Sequence, residues 1–118
     1  MPTTVRAGAA AAPWRHPMRL QITSGGEDHS VALDEHIEQG VHERCGPFTG
    51  WFTSVHVHLS QASGRERRHE QRCIIEARPA GMRPIAVSGK GSSAYEAFDI
   101  AATRLRRAVD RRRARRAA

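Results

Sequence analysis

The chain has 118 residues, with 19 Lys and Arg against 12 Asp and Glu and only two cysteines. That length buries one modest core. Two cysteines make no disulfide framework and lack metal-ligand spacing, and no apolar run nears membrane-spanning length. The formal net charge of +7 is unevenly placed: residues 1–60 balance to −2, residues 61–118 to +9. Such asymmetry points to nucleic acid or another anionic surface as the partner. Lys90 is the only lysine, and guanidinium groups match phosphate with two parallel hydrogen bonds.

Residues 1–17, with Pro2, Pro13 and Pro17, an alanine run and no acid, read as a disordered extension of a cytoplasmic protein. The run is too short for a secretory core. A domain over residues 18–112 follows, then a basic tail over 113–118. Met18, Leu20 and Ile22 alternate with Arg19, Gln21 and Thr23, which predicts a strand with one buried face. After Gly25-Gly26, Ser30 caps a helix whose buried stripe is Leu33, Ile37 and Val41, with Ala32 and Gly40 as small neighbours. Asp34 and Glu35 suit its positive end; Glu35, Glu38 and Glu43 lie on its exposed face as solvated charges. Gly46-Pro47 ends it, and Phe48 folds back onto the core. Cys45 sits at the helix end and Cys73 inside a strand, both as small buried hydrophobes.

Trp51 to Leu59 predicts a second strand, Val55, Val57 and Leu59 facing one way, Ser54, His56 and His58 the other. The loop around Gly64 turns into a third strand with Cys73, Ile75 and Ala77 inward. Arg78 to Gly81 forms a turn, and Ile85 and Val87 mark a short fourth strand. Gly89-Lys90-Gly91 reads as a turn before the last helix. That helix opens with a capping box from Ser93 to Glu96, each side chain satisfying the other residue's backbone N–H. Phe98, Ala101, Leu105 and Ala108 form its core stripe, widened by Ala94 and Val109. Arg104, Arg107, Arg111 and Arg115 follow one flank, Arg106 and Arg113 the other. The fold class is therefore α+β, in the order β-α-β-β-β-α, with a parallel crossover, a meander and both helices on one sheet face.

Chemistry-bearing patterns are few. His56-Val57-His58 puts two imidazoles on one strand face, but a metal site needs a third ligand. Only His69 in the adjoining hairpin offers itself, so the pair reads as polar residues on the open sheet face and no metal is expected. Gly89-Lys90-Gly91-Ser92-Ser93 lacks the spacing of a nucleotide-binding loop. No nucleophile stands with a base, so the chain is expected to be no enzyme, with no cofactor and no small-molecule substrate.

The last helix carries a resemblance. Ser93-Ala94-Tyr95-Glu96-Ala97-Phe98-Asp99-Ile100, continuing through Arg104-Leu105 and Arg107, is similar to the pattern D-x-Y-x-A-[IF]-D-x-x-x-x-[KR]-L-x-R of the ribosome hibernation promoting factor family, with Ser93 in place of the leading acid. Ser30-Val31-Ala32-Leu33 resembles the family's T-x-A-L at the start of the first helix. Over residues 18–113 the resemblance implies a double-stranded-RNA-binding-domain-like fold in a short member of the family. It implies a partner, the small ribosomal subunit and its rRNA, and silencing of translation by occupancy. Carried over by position, the RNA-binding residues are Arg104, Arg107, Arg111 and Arg113, with Lys90. Arg65, Arg67 and Arg68 in the hairpin loop are a further candidate cluster. The first helix departs from the family's lysine-rich version, Arg44 being its only firm cation. Two alternatives stay open: a general double-stranded-RNA-binding module, and a protein-interaction domain that uses the acidic first helix.

Overall fold

The structure is a computed structural model, and it describes residues 18–25, 30–45, 51–61 and 70–117. The elements run β1 (Arg19–Ser24), α1 (Val31–Cys45), β2 (Phe52–Gln61), β3 (Gln71–Pro79), β4 (Ile85–Gly91) and α2 (Ala94–Ala117). The sheet order is β1-β2-β3-β4. β1 pairs parallel with β2, and β2–β3 and β3–β4 are antiparallel. This is the expected α+β architecture in the expected order.

Alternation along the strands decides which face is covered. Leu20 and Ile22, Val55, Val57 and Leu59, Cys73, Ile75 and Ala77, and Ile85 point into one core shared with both helices. α1 contributes Leu33, Ile37 and Val41, the stripe read from its spacing; α2 contributes Ala97, Phe98, Ala101, Ala102, Leu105 and Val109. Ala94 and Ala108 lie at the margin of this core. Both cysteines are free and fully buried, and burial pushes each thiol up to about 12. Neither is a nucleophile at neutral pH.

The helix starts follow their capping residues. Ser30 Oγ accepts from the Leu33 N–H at 3.1 Å, and Ser93 Oγ accepts from the Glu96 N–H at 3.1 Å. The second half of the expected box differs. The Glu96 carboxylate reaches one residue further back, accepting from the Ser92 N–H at 2.7 Å and the Ser92 hydroxyl at 3.0 Å. Those bonds, the backbone one first, hold the Glu96 carboxyl below its ordinary range.

Three expectations are corrected. Glu38, read with the exposed acids of the first helix, is only half-exposed, and Asp34, whose side the sequence leaves open, is 6% exposed. Ala32 is exposed and no neighbour of the buried stripe. Gly89-Lys90-Gly91 is no turn: its residues pair with Cys73, Arg72 and Gln71 as the end of β4. Glycine disfavours strands, but here the helix demands it. A Cβ on Gly89 would stand 2.5 Å from the Ala97 carbonyl oxygen and 2.7 Å from the Ala101 nitrogen. The α2 backbone lies directly on β4 at this point, and backbone atoms cannot rotate away. Gly40 does the same between the helices, where a Cβ would meet the Phe98 ring at 2.5 Å. Gly89→Ala should therefore destabilise by at least about 1–3 kcal/mol, the usual cost of overpacking a filled core. Gly81→Ala is the control of different origin, strained by its positive φ of 72° with nothing crowding it. Chemical denaturation of both variants, with the amide spectrum of α2 as a second readout, checks this. Gly89→Ala with wild-type stability would mean that α2 does not rest on β4.

The expectations for residues 1–17, for Phe48 and for the loop holding Arg65, Arg67, Arg68 and His69 lie outside the described residues.

Candidate nucleic-acid interface

The contact on Gly89 fixes how α2 lies, and its rotation sets where each arginine goes. At 3.6 residues per turn, Arg104 and Arg111 share a direction and Arg107 flanks them, on the side toward β4. Arg104 donates to the Ser88 carbonyl of that edge strand at 2.9 Å. One of its five N–H groups is used; the others remain for an anion. Arg107 and Arg111 are exposed.

The opposite flank of α2 faces α1. Arg106 donates to both carboxylate oxygens of Asp110 at 3.2 Å and to the Arg44 carbonyl at 3.2 Å. It thereby caps a carbonyl in the last turn of α1, which no spacing rule foretold. His36 Nε2 and Asp99 Oδ1 lie 2.7 Å apart between the two helices, and the His36 ring meets Tyr95 and Phe98 edge-on at 5.0 and 5.8 Å. Both partners of the His36–Asp99 pair are more than a third exposed, which limits its contribution to about 1 kcal/mol or less.

Arg113 stands nine residues beyond Arg104, half a turn round the helix, so it does not join the β4-side flank. Beyond Val109 no described side chain of α2 is buried. The last eight residues, about 12 Å of helix, extend past the core, steadied where Arg112 donates to the Arg83 carbonyl at 2.6 Å. The segment expected as a tail thus continues α2 as far as Ala117. Arginine sustains it as a good helix former and complements the negative end of the helix.

Lys90 lies elsewhere. It points to the uncovered face of the sheet, the face opposite α2. Cross-strand register puts Ser60, Arg72 and Lys90 in one row there, and Arg19, Ser54 and Arg78 in another. Arg19, Arg72 and Arg78 were not foreseen as functional, although the strand alternation that buried Leu20, Cys73 and Ala77 already turned them outward. Between those rows lie Gln21, His56, Glu76 and Ala86, then Thr23, His58, Ile74 and Ser88. The His56 and His58 rings stack at 3.8 Å, and Thr23 Oγ1 lies 2.7 Å from His56 Nε2. Burial first, then the neighbouring His58, lowers the His56 pKa, against a smaller opposing pull from Glu76. The chain thus offers two cationic surfaces: the β4-side flank of α2 with its projecting end, and the outer rows of the open sheet face. Among the described residues, no helix is long and apolar enough to cross a membrane.

The family model for the sigma 54 modulation protein / S30EA ribosomal protein matches residues 20–117. A ribosomal subunit interface protein from Coxiella burnetii superposes with a TM-score of 0.70 at 20% identity, over 80% of this chain and 97% of that one. The N-terminal domain of Protein Y from Thermus thermophilus superposes with a TM-score of 0.62 at 21% identity, over 83% of this chain and 98% of that one. At those identities the likeness is one of fold. No curated protein matches the chain significantly in sequence.

Proposed function

The chain belongs to the sigma 54 modulation protein / S30EA ribosomal protein family, and from that premise we propose that it is a ribosome-associated hibernation factor that silences translation by occupancy. Its partner in this reading is the rRNA of the small subunit. The observation that carries the reading is the β4-side flank of α2, where Arg104, Arg107 and Arg111 line one side of a helix packed on an edge strand. Lys90, Arg72 and Arg78 add cations on the uncovered sheet face, so that several rRNA segments can be met at once. α1 turns away from the RNA in this arrangement, because exposed Glu35 and Glu43 would be repelled by phosphate. Its family-atypical acidity is then compatible with docking through α2 and the sheet.

The general double-stranded-RNA module is disfavoured at the start of α2. Such a module offers free N–H groups there to a phosphate. Here the Glu96 carboxylate already accepts from Ser92 and holds negative charge at that position. Short RNA duplexes should therefore bind at least about tenfold more weakly than isolated small subunits at physiological salt, since each lost phosphate contact removes part of the electrostatic term. Co-sedimentation with small subunits, a duplex titration in the same buffer and a cell-free translation assay test this together. Equal affinity for both RNAs with translation unaffected would overturn the hibernation reading.

A further inference from the structure

We propose that His56, His58 and Glu76 form a binding site for a zinc-like divalent metal ion on the open face of the sheet, with water completing its coordination. The sequence offered two imidazoles at i and i+2 and no third ligand. The β2–β3 pairing supplies one, since Glu76 is the cross-strand partner of His56. One donor atom from each of the three lies within 4.8 Å of the others, and His58 Nε2 stands 3.5 Å from Glu76 Oε1. Ligands at about 2.0–2.2 Å from a tetrahedral zinc lie about 3.3–3.5 Å from one another. The His58–Glu76 pair is therefore already at the edge length of such a site. To close it, the His56 ring must swing out of its stack on His58, where the two rings lie 3.8 Å apart and 26° from parallel, so that its lone pair turns toward the ion.

The surroundings fit the same chemistry. A metal-bound imidazole ordinarily has its second ring nitrogen fixed by a hydrogen bond, and the Thr23 hydroxyl does this at His56 Nε2. In the tautomer whose Nε2–H donates to Thr23, Nδ1 carries the lone pair free for a metal. All three ligands sit inside paired strands, where the backbone ladder fixes their spacing. Two imidazoles with one carboxylate select a borderline transition ion over calcium or magnesium, which prefer all-oxygen sites. Three protein ligands leave a position for water. The ion would tie β2 and β3 together on their uncovered side, with β1 touching the site only through Thr23, and add positive charge between the Arg19/Arg78 and Arg72/Lys90 rows.

The readouts are metal binding and melting of the free protein, so the test is separate from that of ribosome binding. The full-length protein, stripped with a chelator, is titrated with Zn²⁺ by calorimetry and with Co²⁺ by visible absorption. The expected result is one saturable site whose Co²⁺ form shows the intense bands of four-coordinate geometry, with a metal-dependent rise in melting temperature. His58→Gln and Glu76→Gln, which keep side-chain volume on a surface with no core contact, should each weaken binding at least about tenfold, by analogy with the loss seen for mere supporting residues. His69→Gln and His36→Gln should leave it unchanged. Absence of saturable binding, or binding that survives both His58→Gln and Glu76→Gln, overturns the proposal.

Discussion

Leu105→Ala should lower the stability of this domain by about 2–5 kcal/mol, the range for leucine truncations in close-packed cores. Leu105 is 1% exposed, in one cluster with Phe98, Ile75 and Val109, and with Val87 packed against it. The neighbours that would have to close the cavity are the least free to move, because α2 is pinned to β4 by backbone contact at Gly89. Relaxation should therefore be small and the cost should fall in the upper part of that range. A domain of this size has only about 5–15 kcal/mol in hand, so the melting temperature should drop by about 10 °C or more. Calorimetry of the variant measures it directly. A melting point within a degree or two of wild type would mean that Leu105 does not face the sheet.

The same residue shows what the sequence could and could not reveal. Leu105 was assignable to the core because it recurs with Phe98 and Ala101 at helical spacing behind a capping serine, and local periodicity carries that information. Val55, Val57, Cys73 and Ile75 were assignable by alternation. Gly89 was misplaced because a glycine pair beside serines is locally a turn signal; what makes it a strand residue is a helix packed on it from the far end of the motif. Glu38 was misplaced because charge alone says outside, while it stands one position beyond the buried Ile37 at the margin of the α1 stripe. Glu76 escaped notice as a partner of the histidines because register across a hairpin depends on how its loop closes, which residue types there do not specify. The arginine flank was half legible. Its angular arrangement follows from spacing, and Arg113 was separable from Arg104 by the same rule. Which flank would face the edge strand and which would cap α1 through Arg106 required the packed helix pair.

That division between the two flanks predicts which arginines bind RNA. Under the ribosome reading, replacing Arg104, Arg107 and Arg111 together by Gln should weaken binding to small subunits and flatten its salt dependence. Each phosphate contact contributes roughly 0.7–0.9 to the slope of log K against log salt, so the loss of three lowers its magnitude by about 2–3. The fold should persist, since all three side chains are exposed. Only Arg104 surrenders a bond, to the Ser88 carbonyl, worth about 0.5–1.5 kcal/mol. Arg106→Gln is the informative contrast. It lies on the α1 side, paired with Asp110 and capping Arg44, so it should cost stability and leave the salt slope unchanged. Binding isotherms at several salt concentrations, with melting curves for both variants, separate the two roles. An unchanged slope in the triple variant would move the RNA surface off α2. It would then lie on the rows holding Arg72, Arg78 and Lys90, or on the hairpin with Arg65, Arg67 and Arg68, and the same titration on Arg72→Gln/Lys90→Gln and on the three hairpin arginines decides between them.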